Sequence, residues 1–171
     1  MKLNDLPELV VQTLRPLTIH LFAATAQGAT AQAAFDAALQ GAGVARHVRL
    51  RASSLIPPNA RIVYCKPGRL PHANGPWQYV VMAHMKQSRP GEHAHAGLAW
   101  VQRSDDGRGL FIDLHDDARE RLEHDLHAAF GAIGSLRDPR HGPVQTAFAS
   151  RRCDGLPVCA LMVAACTCEP W

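Results

Sequence analysis

The stretch that most restricts the fold is Val158 to Cys166, the longest run of consecutive apolar residues in the chain. A membrane-spanning helix needs about 20 such residues, and this run is far shorter. As a strand it is apolar on both faces, and a strand of that kind must be covered from both sides. The sequence therefore predicts a layered, soluble protein in which this strand lies in a buried sheet.

Short strand-like segments between turn signals make up most of the rest of the chain. β-branched and apolar residues alternate with polar ones, and Pro-Gly or Asn-Gly-Pro combinations interrupt them. We predict strands at residues 18–24, 48–51, 61–64, 78–84, 93–102, 109–113, 144–150 and 158–168.

Two segments instead have helical periodicity. The first is the alanine-rich stretch from Thr30, a residue suited to an N-cap, to Gln40, with Phe35 facing the core and Asp36 to one side of the apolar stripe. The second is predicted over 116–130, where Leu122, Leu126 and Phe130 share one face. Sheets with two helices predict an α+β sandwich.

The composition fits one domain over residues 1–171, because 47% of the residues are hydrophobic and the length suits a single core. The five cysteines are scattered and odd in number, and no secretory signal opens the chain, so we expect a reducing, cytoplasmic setting. The net charge of +3 is small, and Arg46, Arg49 and Arg51 have no interleaved aromatic residues. We predict neither nucleic-acid nor membrane partners.

Two groups of residues invite a chemical interpretation. Ser53 and Ser54 stand between a predicted strand and a Pro-Pro turn, which the residues alone explain as ordinary turn serines. Zinc ligands could be drawn from His84, His93, His95, Cys166 and Cys168. Their spacing lacks the usual paired motifs, so we predict no metal site. We predict surface or interface histidines instead, and cysteines packed at the end of a buried strand.

A longer ordered set of segments changes the interpretation of the serine pair. The set comprises Gly28-Ala29-Thr30, Ala34-Phe35-Asp36-Ala37-Ala38-Leu39, Gly43-Val44, Ser53-Ser54-Leu55-Ile56-Pro57-Pro58 and Pro90-Gly91-Glu92. Together these segments resemble the pyruvoyl-dependent arginine decarboxylases over roughly residues 18–115. The resemblance implies an αββα-type sandwich of mainly antiparallel sheets covered by helices, as in the pyruvoyl-dependent histidine and arginine decarboxylases.

The resemblance also implies a self-made cofactor. The chain would be an inactive precursor that cuts itself between Ser53 and Ser54, giving a β chain of residues 1–53 and an α chain of residues 54–171 that begins with a pyruvoyl group derived from Ser54. The ketone of that group would bind the amine of an amino-acid substrate and accept electrons as carbon dioxide leaves. Arginine would give agmatine, a precursor of polyamines.

The family's site residues carry over with two departures. Asp113 stands where relatives have a glutamate proton donor, and its side chain is one methylene shorter. Asp36 matches an aspartate that pairs with the substrate guanidinium, for which a carboxylate is the natural partner. Val48 replaces an asparagine that assists cleavage, and valine cannot hydrogen-bond; His47 or a backbone amide would have to substitute.

The resemblance implies a homotrimer or a dimer of trimers, with active sites between neighbouring copies. Two alternatives stay open. Val48, Asp113 and the alanines Ala31 and Ala33 could signal a pocket remodelled for another substrate: histidine, lysine or a modified amino acid. A homologue that never cuts itself, acting as a binding or scaffold subunit, is the other alternative.

Overall fold

The fold was obtained as a computed structural model, which describes residues 17–45, 48–51, 54–66, 77–133 and 139–167. Along the chain it contains β1 (Thr18–Gln27), α1 (Ala31–Gly41), β2 (Val48–Arg51), β3 (Leu55–Ile56), β4 (Arg61–Tyr64), β5 (Trp77–Gln87), β6 (His93–Gln102), β7 (Gly109–Asp116), α2 (Arg119–Ala132), β8 (Gln145–Arg152) and β9 (Val158–Thr167). The strands predicted over 48–51, 61–64 and 93–102 have these same bounds.

The strands of the described residues form two stacked sheets. The first sheet has the order β2-β5-β9-β1-β4, and the second has the order β3-β7-β6-β8. Only the pairs β1–β4 and β2–β5 are parallel, and the others are antiparallel. Helix α1 packs on β1, β5 and β9 of the first sheet, whereas α2 packs on β6 and β7 of the second. The predicted α+β sandwich with a helix on each outer side is confirmed.

Strand β9 lies in the middle of the first sheet, as its sequence requires. Met162 faces the second sheet and Val163 faces α1, and both side chains are fully buried. Burying both faces removes the run from Val158 to Ala165 from water, which is the main favourable contribution of such a strand. The second sheet has its own outer core, where Leu122, Leu126 and Phe130 of α2 pack on the strands.

The two helices differ in how well their starts were predicted. The Thr30 hydroxyl accepts a hydrogen bond from the Ala33 amide at 3.1 Å, so the predicted N-cap of α1 is confirmed. The start predicted for α2 at Asp116 is wrong, because Asp116 is the last residue of β7, paired with His95. Its carboxylate accepts from the Ala118 amide at 2.7 Å, and the helix begins only afterwards. Neither described helix is long and apolar enough to cross a bilayer.

Candidate active site

The chain changes sheets at the serine pair. Strand β2 ends at Arg51, opposite Val80 in the first sheet, and β3 begins at Leu55, opposite Leu110 in the second. Ser54 is the residue immediately before β3; Ser53, like His47 and Cys168, lies outside the described residues. The two-residue strand β3 was not among the predicted strands, and it ends immediately before the Pro-Pro turn.

Ser54 is held in place on its C-terminal side. Its carbonyl oxygen accepts a hydrogen bond from the Phe111 amide at 2.7 Å, which continues the β3–β7 register by one residue. Ile56, two residues on, is only 2% exposed. The Asn59 amide then donates to the Asp106 carbonyl at 2.7 Å in the β6–β7 connection. Ser54 itself is half-buried. This peptide segment therefore has little freedom to move.

A cleft opens where the crossing leaves two strand edges without a neighbour among the described residues. Strand β2 covers β5 only as far as Val80, and β3 with Ser54 covers β7 only as far as Phe111. Beyond these points the edges of β5 and β7 face a space of about 670 Å³. Apolar and polar side chains of β5 and polar side chains of β7 line this space. They are Val80, Met82, Ala83, His84, Met85, Lys86, Asp113 and His115. A cleft of this size suits an amino-acid ligand.

Asp113 lies on the wall of this cleft close to Ser54. It follows Phe111 by two residues on β7, so both side chains point towards the space between the sheets. Because Ser54 is opposite Phe111, Asp113 is its diagonal neighbour, at about 7–8 Å between Cα atoms. Its cross-strand partner, Leu98, is fully buried. A half-buried carboxyl group beside apolar walls is suited to holding and delivering a proton.

The other polar residues of the cleft are two histidines and a lysine. The His84 ring lies 4.6 Å from the Phe35 ring of α1, and the Lys86 ammonium lies 5.7 Å from the centre of that same ring. Burial lowers the pKa of His84, and the charges of Lys86 and His115 lower it further. His84 is therefore neutral near pH 7.

Sequence reasoning missed the place of these residues in the cleft. It considered His84 only as a zinc ligand, and it did not single out Lys86 or His115. The alternation of β7 could have paired His115 with Asp113, because residues two apart share one face of a strand.

Asp36 does not line the cleft of its own chain. It is exposed on α1, where its carboxylate accepts a hydrogen bond from the Gln32 amide at 3.0 Å. The ring of its neighbour Phe35 packs against the ring of the cleft residue His84, so α1 lies beside the rim of the cleft. The structure thus brings Ser54 and Asp113 together and leaves Asp36 facing outwards near the same opening.

The remaining histidines considered as ligands lie elsewhere. His93 and His95 share one face of β6 as predicted, with rings stacked 5.6 Å apart. The expectation of surface positions is wrong for His95, which is 8% exposed and has its Nδ1 2.7 Å from the Ser150 hydroxyl. Over the residues that the structure describes, no group of three or more histidine, cysteine or acidic side chains could hold a metal ion.

The family assignment comes from the sequence as a whole. A family model described as pyruvoyl-dependent arginine decarboxylase matches residues 18–149. The chain belongs to this family. In this pyruvoyl-dependent arginine decarboxylase family member, Ser54, Asp113 and Asp36 all lie within the matched residues. No curated protein matches the chain as a relative.

Proposed function

We propose that the chain is a pyruvoyl-dependent decarboxylase that converts arginine to agmatine and carbon dioxide after cutting itself between Ser53 and Ser54. Family membership supports the pyruvoyl-dependent chemistry. The observation that carries the proposal is the position of Ser54: at the crossing between the sheets, bonded to Phe111, and diagonal to Asp113 in the cleft. The residues present fit a pyruvoyl group, because this half-buried serine is fixed on its C-terminal side and is the diagonal neighbour of Asp113, which lines the ligand-sized cleft.

The cleavage needs only the chain and water. The Ser54 hydroxyl adds to the Ser53 carbonyl carbon, and the peptide C–N bond breaks, which turns the amide into an ester and frees the Ser54 amine. Loss of the Ser54 Cα proton then expels the Ser53 carboxylate and leaves a carbon–carbon double bond. Water replaces the nitrogen, which departs as ammonia, and a ketone remains. The hydrogen bond from Phe111 supports this route, since it holds the Ser54 backbone while the bonds on its other side rearrange.

After cleavage, the side chains of the cleft have separate tasks. The pyruvoyl group supplies an electron sink for the electrons released with carbon dioxide. Asp113 gives a proton to the carbon that has lost its carboxylate. The apolar residues Val80, Met82 and Ala83 exclude water from the reacting carbon and leave the departing carboxylate poorly solvated.

The substrate guanidinium would pair with Asp36 of a second copy. Asp36 is exposed and stands outside the cleft of its own chain, so it is available to a neighbour. Beyond Val80 and Phe111 the edges of β5 and β7 have no neighbouring strand among the described residues, so a second copy could close each cleft on that side. This arrangement supports the homotrimer, or dimer of trimers, that the family resemblance implies.

Specific observations favour the two alternatives. Val48 lies in β2 opposite Trp77, where a side-chain amide is missing, and this favours a homologue that stays uncut and serves as a scaffold. Lys86 in the cleft carries the same charge as arginine, and this favours another amino acid as substrate.

The decisive experiment is a denaturing mass measurement after prolonged incubation of the purified chain. The proposal expects fragments of residues 1–53 and 54–171, the second trapped by a hydrazine at its ketone. Ser54→Ala is the control and should remain one chain. An uncut wild-type chain without a trapped ketone contradicts the enzymatic proposal and supports the scaffold. A cut chain that releases no carbon dioxide from arginine contradicts only the substrate.

The sharing of sites between copies has its own test. Ser54→Ala and Asp36→Ala variants are unfolded together, mixed and refolded. If Asp36 acts on the neighbour's substrate, each variant alone is inactive and the mixture regains activity at the sites that combine an intact Ser54 with an intact Asp36. A mixture as inactive as its parts contradicts the proposal.

A further inference from the structure

The segment that follows Ser54 is tied to the second sheet by a side chain that the proposed function does not use. Gln102, the last residue of β6, donates two hydrogen bonds from its side-chain Nε2. One goes to the Ala60 carbonyl at 3.0 Å and the other to the Gly107 carbonyl at 2.9 Å. Both N–H groups of the amide are thus used. A single side chain joins the chain after the Pro-Pro turn to the connection between β6 and β7.

Gln102 also stands in register with β3. Gly109 of β7 pairs with Ile56 of β3 on one side and with Gln102 of β6 on the other, so the three residues form one row across the second sheet. The strands approach closely in this row, because a Cβ at position 109 would collide with the Val101 carbonyl oxygen. Gln102 therefore lies level with the end of β3, and its side chain reaches the segment that leaves this strand.

Strand β3 needs support of this kind. It has two residues and lies at the edge of its sheet, and of these two residues Leu55 is 68% exposed and only Ile56 is buried. Such a short edge strand opens easily, because few hydrogen bonds and little buried surface must be lost together. Beyond the Pro-Pro turn, the bonds of the Asn59 amide and of the Gln102 side chain fix the chain again. The Gln102 bonds come from a side chain, so a substitution can remove them.

We propose that Gln102 is a positioning residue for the self-cleavage, because its bonds hold residues 54–60 on the second sheet and thereby hold the Ser54 hydroxyl in place for its attack. The proposal rests on the proposed function. The rate of such an attack depends steeply on geometry, and a displacement of about 1 Å can cost about 100-fold. Gln102 bonds to Ala60, six residues after Ser54, so it acts through the backbone. After the cut, the same bonds would keep the first residues of the α chain on the second sheet.

The test measures how fast freshly synthesised chain is cut, by denaturing mass analysis at successive times. Gln102→Met keeps the length of the side chain and removes both donors, so it should be cut about 10-fold to 100-fold more slowly than wild type. Gln102→Lys puts a donor back at the same reach and should be cut faster than Gln102→Met. This difference would not arise if the side chain only filled space.

The matched control is a second glutamine at the opposite end of β6. The Gln87 side chain donates to the Glu92 carboxylate at 2.8 Å and accepts from the Ser88 amide at 2.9 Å, in the connection between β5 and β6. Gln87→Met therefore also removes the hydrogen bonds of one glutamine from a strand connection. It should be cut at the wild-type rate, because none of these bonds involves residues 54–60.

Hydrogen exchange in the uncut Ser54→Ala background is a second readout that needs neither cleavage nor turnover. The Phe111 amide donates to the carbonyl of position 54, and the Asn59 amide donates to the Asp106 carbonyl. Adding Gln102→Met should make both amides exchange about tenfold faster, since the loss of a hydrogen bond lowers local stability by a factor of this order. Adding Gln87→Met should leave the exchange of both amides unchanged.

Several outcomes overturn the role of Gln102. Cutting of Gln102→Met at the wild-type rate, or unchanged exchange of the Phe111 and Asn59 amides, would show that its bonds do not hold the segment. Equal slowing in Gln87→Met would show a general loss of stability, and Gln102→Lys as slow as Gln102→Met would show that the donors do not matter. Failure of the proposed function looks different, because the wild-type chain then stays whole and the role of Gln102 in cleavage ends with it.

Discussion

The two histidine pairs of this protein share an electrostatic property and differ in their surroundings. Burial lowers the pKa of His84 and of His95, and in each case a second histidine lowers it further. His93 and His95 lie together on β6, inside the second sheet, with Ser150 2.7 Å from the His95 ring. His84 and His115 instead come from two different sheets, and both line the open cleft.

The difference teaches that a shifted pKa alone does not mark a functional site. The ring of His95 is closed off by Ser150 and by Arg119, whose guanidinium stacks 3.7 Å above the Phe148 ring. Such satisfied polar clusters support packing. His84 and His115 lie on β5 and β7 beyond the points where β2 and β3 cover these strands in the described part of the chain. Titratable groups with shifted pKa values indicate a functional site when they also border a space that can hold a ligand.

The largest expected effect on activity distinguishes Asp113 from Asp116, the two carboxylates of β7. Asp113→Asn should lower decarboxylation about 100-fold to 10,000-fold, because the amide cannot give a proton. The free energy of unfolding should hardly change. Activity and urea denaturation of the same preparation check both statements, and full activity would exclude Asp113 as the donor.

Asp116→Asn is the matched control, three residues later on the opposite face of the strand. Hydrogen bonds from Arg121 hold the pKa of Asp116 well below its usual range. The pair is partly exposed, so losing it should cost little free energy of unfolding. Decarboxylation should stay at the wild-type rate, and a loss like that of Asp113→Asn would contradict the separation of the two regions.

The second prediction compares the histidine pairs through stability. His95→Ala should lower the free energy of unfolding by about 2 kcal/mol, because it empties a buried position and removes the bond to Ser150. His84→Ala should cost less than about 1 kcal/mol, since its ring borders open space. Urea denaturation is best done on the uncut Ser54→Ala background, where one chain unfolds. Equal losses of unfolding free energy would mean that His84 stabilises the fold as much as His95 does.

The third prediction is a pH dependence. The pKa of His95 is lower in the folded protein than in the unfolded chain, so the unfolded chain binds the proton more readily. The contribution of His95 to stability is therefore fully present above pH 6.5, the ordinary pKa of histidine, and is lost as the pH falls below that value. His95→Gln should therefore lose less stability than the parent between pH 7 and 5. Parallel denaturation curves at several pH values measure this, and an unchanged slope would show that His95 does not titrate on unfolding.

Local sequence patterns predicted much of this fold. The apolar run of β9, the Thr30 cap and the stripe of α2 are each decided by neighbouring residues, and the structure contains all three. The start of α2 was missed because Asp116 suits a helix N-terminus as well as a strand end, and pairing with His95 decided the matter. That pairing joins residues far apart in sequence, which periodicity cannot detect.

The candidate site was predictable only in part, for the same reason. Family resemblance pointed to Ser54, Asp113 and Asp36, but the cleft arises from where β2 stops and β3 begins, in two different sheets. His84 and His115 come to line one cleft only through that crossing. Their place in one cleft therefore had no local signal in the sequence.

The smallest expected effect concerns Lys86, the cation at the rim of the cleft. Its ammonium repels an arginine substrate, but it is exposed, so solvent and salt weaken the repulsion. Lys86→Met should lower the KM for arginine about threefold at low ionic strength and leave kcat unchanged, and the difference should vanish in high salt. Lys66→Met, beyond β4 at the other edge of the first sheet, is the control and should have no effect. A raised KM in Lys86→Met would mean that Lys86 binds the substrate, and the cleft would then favour an acidic amino acid over arginine.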